Sequence, residues 1–231
     1  MAFCSIDDIN LLIIKKLTHN FHAIVSLSFL NRASYEFITN TNLYREIEIM
    51  KENNLFYNIY DNTDFINLCC KSNLMNSLRC SLKYYKTTRE FPFIVNDVVV
   101  SACEHANIVI LKWLRKHNFE FGCLIDAIES TCKCGSVEIL EWFRKSGYEF
   151  QYSTIAIDWA SSYGHVQILD WFKKSDLVFK YSHKAIDWAC KYGYIQILDW
   201  FKTSGLKFEY SENAIIFAAI NGYKDTQTII S

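Results

Sequence analysis

The sequence has no block of charge of one sign and no long apolar run. Its 24 basic and 25 acidic residues are interspersed and leave a formal net charge of −1, so the electrostatic footprint of a protein that binds nucleic acid or an anionic membrane is missing. No apolar stretch reaches the roughly 18–20 residues that a membrane-spanning helix needs. The first residues meet acids without a preceding basic segment, which argues against a signal peptide. We therefore expect a soluble, cytoplasmic protein that binds neither nucleic acid nor membrane.

The motifs of metal binding and catalysis are missing as well. Of the nine cysteines, Cys69-Cys70 and Cys132-x-Cys134 form the closest pairs, and neither has a second pair at zinc-site spacing. No glycine loop that could cradle a phosphate and no nucleophile elbow occurs. His165 follows a glycine at a position that we interpret as structural. We predict structural thiols, no metal, no cofactor and no enzymatic activity.

What the chain does have is an internal repeat with a step of 29 residues. Residues 156–173 return almost unchanged as residues 185–202, and weaker copies extend upstream to Ala106 and downstream to Gly222. A fixed period of this length is typical of a solenoid, because each unit buries its apolar face only against its neighbours. In the last copy polar residues replace apolar ones, which predicts a C-terminal cap; these are Lys224, Thr226 and Gln227.

Each copy has the signals of two helices joined by a glycine. A serine stands three residues before the first helical alanine, where its hydroxyl can cap free backbone N–H groups. A glycine then ends the first helix, and lysines in the last turn of the second helix suit the negative end of its dipole. The serines are Ser153, Ser182 and Ser211, and the glycines are Gly135, Gly164, Gly193 and Gly222.

Three acids also recur at the repeat spacing: Glu129, Asp158 and Asp187. Being one unit apart, roughly 10 Å, they are too distant to share a proton or a single metal ion. We predict that they form solvated rungs along one side of the stack.

The repeat resembles the ankyrin repeat. The pattern Ala-x-x-x-Ala-x-x-x-Gly-His-x-x-Ile-Leu of residues 156–169 is similar to the core of that family, and four copies in register extend the resemblance over about residues 65–231. The family's Thr-Pro-Leu-His is replaced by residues 155–158, and the return loop is about four residues shorter. The resemblance implies an all-α solenoid of about six ankyrin-like repeats with stubby β-hairpins. Such short arrays look like those of giant DNA viruses, which would place the protein in the host cytosol.

Residues 5–47, which precede the repeats, resemble an F-box. The apolar spacing over residues 9–17, the segment 23–32 and Leu43-Tyr44 carry this resemblance, whereas Ser5-Ile6 replaces the family's opening Leu-Pro. An F-box would dock on the Skp-type adaptor of a cullin ubiquitin ligase, here through Ile9, Leu12, Leu43 and Tyr44. The alternative is a plain helical cap that shields the first repeat from water. We therefore predict an N-terminal helical domain over residues 1–60 and a repeat domain over residues 61–231.

The sequence favours protein–protein recognition on the concave face of the solenoid. At the ends of the first helices, residues vary between copies while the buried positions stay fixed, and solenoids place their contact residues at such positions. The predicted contact residues are Glu104, His105, Lys133, Ser162, Tyr163, Lys191 and Tyr192. The partner is an unknown protein, which the chain would present to a ubiquitin ligase as a substrate receptor. The alternative is a scaffold or sequestering protein without any link to ubiquitin.

Overall fold

The computed structural model describes residues 62–75, 78 and 95–221, and every regular element in that part of the chain is an α-helix. The all-α prediction is therefore confirmed, whereas the N-terminal domain over residues 1–60 and the predicted C-terminal cap at residues 224–227 lie outside the described residues. The helices are α1 Asn62–Lys71, α2 Val95–Glu104, α3 Ile108–Lys116, α4 Ile125–Cys134, α5 Val137–Lys145, α6 Ile155–Ser162, α7 Val166–Lys174, α8 Lys184–Tyr192, α9 Ile195–Thr203 and α10 Glu212–Ile220.

The chain divides into two compact units, Met1–Val98 and Val99–Ser231. In the first unit, the described core is built from Ile66, Cys69 and Leu74, which are almost fully buried. The Sγ atom of Cys70 donates to the carbonyl of Val98 over 3.9 Å. Asn73 has a φ of +53°, the left-handed conformation that glycine adopts in the repeat copies and that asparagine tolerates better than most residues.

The second unit is a solenoid of helix pairs, as predicted. The first helices of successive pairs, α4, α6, α8 and α10, pack side by side, and the second helices α5, α7 and α9 form a layer behind them. Small alanines let the first helices approach closely, and Ala156 and Ala160 are fully buried. Phe143, Phe172 and Phe201 of the second helices fill the space between the two layers and are also fully buried. Each helix pair thus completes its core against the next helix pair.

At two steps of the described stack, a ring from the following helix pair closes over the glycine that ends a first helix. Gly135 has a φ of +78°, and a Cβ atom placed there would lie 2.7 Å from the imidazole of His165. The same imidazole donates from Nε2 to the carbonyl of Lys133 over 2.9 Å. In the next pair, the ring of Tyr194 lies 2.8 Å from the Cβ position of Gly164. Two features require glycine at each of these positions: the left-handed backbone conformation and the close approach of the ring.

The return segments between pairs contain no strand in the described part of the chain, so the stubby β-hairpins are not formed there. Extended aromatic residues hold these segments to the second-helix layer. Phe150 packs on Trp171 with ring centroids 5.7 Å apart, and Tyr152 packs on Phe172 at 4.7 Å. The hydroxyl of Tyr152 donates to the carbonyl of Val178 in the following return segment.

Replacing Gly135 by alanine is expected to destabilise the solenoid more than replacing Gly147. Both glycines have positive φ, at +78° and +76°, so each alanine carries a left-handed backbone cost of about 1–2 kcal/mol. Only at Gly135 does the new methyl group meet a ring, which adds about 1–3 kcal/mol of overpacking. Urea unfolding of Gly135→Ala and Gly147→Ala against the wild-type chain measures the difference. Equal losses of unfolding free energy would show that the ring contact contributes nothing.

Candidate partner-binding face

The predicted contact residues lie where the first helices end. Glu104 and His105 are exposed at the end of α2, and Lys133 is half-buried at the end of α4. Tyr163 and Tyr192 are 48% and 49% exposed to solvent. This is a large exposure for aromatic residues that adjoin a well-packed core. Lys191 beside Tyr192 is exposed as well, so these residues are placed where a partner could reach them.

Ser162 does not present its side chain with the others. It is only 7% exposed, and its hydroxyl donates to the carbonyl of Trp159 over 3.0 Å. At the same repeat position, the long side chains of Lys133 and Lys191 extend out of the helix, whereas the short serine hydroxyl turns back onto its own backbone. Ser162 therefore leaves the predicted set. The predicted adaptor contacts Ile9, Leu12, Leu43 and Tyr44 lie outside the described residues.

Lys133 reaches from one helix pair to the next and lies over two aromatic rings. Its Nζ atom is 5.5 Å from the ring centroid of Trp159 and 5.9 Å from that of Tyr163. Trp159 belongs to α6 and Tyr163 follows its last residue, while Lys133 belongs to α4. A cation held over ring faces in this way contributes about 0.5–1 kcal/mol at an exposed site. The contact also fixes the direction of the lysine side chain.

The arrangement recurs two steps along the stack, between α8 and α10, whereas Ser162 takes the lysine position at the intervening step. Lys191 on α8 lies 5.5 Å from the ring centroid of Phe217 on α10 and 5.3 Å from that of its neighbour Tyr192. On α8 itself, Lys184 lies 5.9 Å from the ring centroid of Trp188. We name the surface formed by the following six residues the lysine–aromatic face: Lys133, Trp159, Tyr163, Trp188, Lys191 and Tyr192.

Sequence reasoning missed the two tryptophans of this face. Trp159 and Trp188 are half-buried, and each precedes Tyr163 or Tyr192 by four residues, so that the two aromatic side chains share one side of a helix. A signal was present in the repeats. The equivalent position holds Ser101, Ser130, Trp159, Trp188 and Phe217 in successive copies, and such variation between fixed small residues indicates a surface position.

The recurring acids are buried, so the prediction of solvated rungs is wrong. Glu129, Asp158 and Asp187 are at most 5% exposed. Each carboxylate accepts hydrogen bonds from the serine that opens the next first helix. Asp158, for example, accepts from the backbone N–H of Ser182 at 2.9 Å and from its hydroxyl at 2.6 Å. The corresponding pairs are Glu129 with Ser153 and Asp187 with Ser211.

The serines keep the capping role that the sequence predicts. The hydroxyl of Ser182 accepts a hydrogen bond from the backbone N–H of Lys184 over 3.2 Å. The hydroxyls of Ser153 and Ser211 likewise accept from the backbone N–H of the residue two positions further along the chain. The acid and the serine also vary together. Where Val100 replaces the acid, Leu124, which has no hydroxyl, stands in place of the serine. The pair acts as one device that joins successive units.

Burial raises the pKa of Asp158 above its ordinary value of 3.8, although the hydrogen bonds from Ser182 act in the opposite direction. The folded chain therefore holds this proton more tightly than the unfolded chain does. The contribution of this carboxyl to stability accordingly declines as the pH rises from its ordinary value through its raised folded-state pKa.

The thiols of the repeat position shared by Cys103, Cys132 and Cys190 are fully buried, as predicted. Burial raises the pKa of Cys190 to about 12 and that of Cys132 well above its usual range, which suppresses the reactive thiolate form. Over the described ranges, no cluster of three metal-ligating side chains is found. The same residues include no helix of the length and apolar character that crossing a bilayer demands.

A comparison with models of known protein families gives no match, and a comparison with curated proteins gives none either. The geometry of the lysine–aromatic face is therefore the basis for assigning a function to this chain.

Replacing Asp158 by alanine is expected to cost about 1–3 kcal/mol of unfolding free energy, because two donors of Ser182 lose their buried acceptor. A double-mutant cycle of Asp158→Ala and Ser182→Ala should give a coupling energy of about 1 kcal/mol or more. Asp176→Ala is the matched control, since this fully exposed carboxylate makes a surface ion pair with Arg144 that solvent screens. A loss for Asp158→Ala no larger than the control's would contradict the role of the pair.

Proposed function

We propose that this protein is a protein-interaction module that holds a protein partner on the lysine–aromatic face. The observation that carries the proposal is the row of large, partly exposed rings along consecutive first helices, with Tyr163 and Tyr192 about half exposed. Aromatic side chains dominate the binding energy of protein interfaces, and contiguous exposed apolar surface marks interaction sites. Buried positions stay fixed between copies, whereas the positions of the face differ among the five copies of the repeat, which is compatible with a contact surface.

We further propose that the solenoid is of the ankyrin type. The pattern of residues 156–169, the glycine that ends each first helix and the step of 29 residues support this assignment. The resemblance of the shortened repeat to arrays of giant DNA viruses supports a viral origin, with the host cytosol as the compartment. A binding role without chemistry in this chain agrees with the suppressed thiolate form of the buried cysteines.

The substrate-receptor hypothesis adds a second contact. Residues 5–47 would bind a Skp-type adaptor through Ile9, Leu12, Leu43 and Tyr44, and the face would hold the protein to be ubiquitinated. The mechanism would be induced proximity between a target and a ligase. The competing proposal keeps the face and its partner but treats the N-terminal segment as a structural cap of a scaffold or sequestering protein.

Peptides selected from a random displayed library on the immobilised full chain are expected to bind through the face. Truncating Trp159 and Tyr163 to alanine should weaken their binding about tenfold or more, because aromatic hot spots contribute at least about 1–2 kcal/mol each. Lys174→Ala, an exposed change on α7 in the second-helix layer, is the control and should leave the dissociation constant within about twofold. Circular dichroism verifies that all variants are folded. Selected peptides that bind the Trp159 and Tyr163 variant as tightly as the wild-type chain would refute the proposed site.

The adaptor hypothesis predicts that the full chain captures purified Skp-type adaptor and that Leu12→Asp with Tyr44→Asp abolishes this capture, because charges would replace the apolar contact. The matched control is the pair Tyr163→Ala and Tyr192→Ala, which changes aromatic residues of the repeat domain and should leave adaptor capture unaltered. Capture is quantified on chains that retain their helical circular dichroism spectrum. If the wild-type chain captures no adaptor, the ubiquitin hypothesis is to be dropped in favour of the structural cap.

A further inference from the structure

We propose that the lysine–aromatic face takes an extended acidic segment of a protein partner, an inference that rests on the proposed function and names the chemistry of its ligand. The first argument is the balance of charge on the two central helices. Lys191 on α8 and Lys133 beside α6 supply two ammonium groups to this surface. The only carboxylates of α6 and α8 are Asp158 and Asp187, and both are buried.

One exposed carboxylate of the first-helix layer, Glu104 at the end of α2, holds the repeat position of Lys133 one step before it and bounds the cationic part of the face. Two more stand further away. Asp126 and Glu212 lie in the first turns of α4 and α10, whereas Lys133 and Lys191 lie in last turns. Seven residues separate Asp126 from Lys133, which corresponds to about 10 Å along the helix axis. The central part of the face is therefore cationic, and a ligand with carboxylates complements it.

The rings beneath the lysines favour an acidic ligand further. The Nζ atom of each lysine lies over an aromatic ring of the following helix pair, and this contact favours one position of the ammonium group before a partner arrives. Pre-set groups lose less side-chain entropy on binding. The edges of Trp159 and Tyr163 remain available for an apolar side chain between two carboxylates. Cationic and aromatic groups thus alternate along the stack.

The spacing of the cations indicates how the ligand must be built. Lys133 and Lys191 lie on α4 and α8, two steps apart in the first-helix layer. With about 8–10 Å between packed helices, two steps cover about 16–20 Å, which an extended chain spans in about five or six residues. We therefore infer that the segment carries acids about five or six residues apart with an apolar residue between them.

A protein segment fits this face better than single-stranded nucleic acid, which also combines negative charge with stacking. A nucleic acid requires a groove of basic residues that follows its backbone over several nucleotides. Here the described cations are few, and the exposed flanks of the first-helix layer carry Asp126 and Glu212. The formal net charge of the chain is −1, so no long-range field attracts a polyanion.

The test titrates the full chain with fluorescein-labelled peptides of about nine residues that have two glutamates five apart and a central leucine. Matched peptides carry glutamine or lysine in place of glutamate, and an oligothymidine of similar length represents nucleic acid. The acidic peptide should bind about tenfold more tightly than the glutamine peptide, and the difference should shrink at high salt. Lys133→Glu with Lys191→Glu should remove the preference, whereas Lys174→Glu with Lys116→Glu, two exposed changes of the same sign in second helices, should preserve it.

Equal binding of the acidic and glutamine peptides overturns the inference, and so does tighter binding of the lysine peptide or of oligothymidine. An acidic preference that survives the Lys133 and Lys191 reversal also overturns it, because the charge would then act elsewhere. If these peptides fail while library-selected peptides of another composition bind through Trp159 and Tyr163, the inference falls and the proposed function stands. If neither kind of peptide binds, both fall.

Discussion

The structure depends on the contact between one first helix and the next. A helix pair of this size buries its apolar side only against another pair, so every interaction that matters for the fold crosses a unit boundary. The ring of His165 closes over Gly135, and the carboxylate of Asp158 holds Ser182. Lys133 likewise crosses to Trp159. The same geometric step recurs at the following boundary, where Tyr194 closes over Gly164 and Asp187 holds Ser211.

This constraint explains which positions stay fixed. Alanine and small polar residues lie between first helices because larger side chains would separate the axes, and Ala156, Ala185 and Ala214 are fully buried. The buried acid is tolerated for a different reason. A carboxylate without partners would be costly at such a site, but the serine of the next unit supplies both a backbone and a hydroxyl donor, as in Asp158 with Ser182. Hydrogen bonds depend on direction, so the polar pair restricts the relative position of successive helix pairs more closely than apolar packing alone does.

The sequence was sufficient to predict the solenoid, because its period, its helix-ending glycines and its capping serines are local signals. It was insufficient to place Asp158, since an acid at a regular spacing is equally compatible with solvent or with a partner in the next unit. The deciding information lay in a correlation between two positions, visible where Val100 and Leu124 replace the acid and the serine together. Trp159 was missed for a related reason. An aromatic residue in a short apolar helix suggests the core, and only comparison across copies reveals that its position varies.

Folding and recognition meet at Lys133. Its carbonyl accepts the hydrogen bond from His165 that accompanies the closed glycine, and its ammonium group lies over Trp159 and Tyr163. The same residue is thus held by its backbone and by its side chain to the following unit. A change that loosens the boundary will therefore shift the ammonium group as well, even if the change lies beneath the face. A partner that binds the proposed face would therefore recognise a property of the stack, since no single helix pair forms the surface by itself.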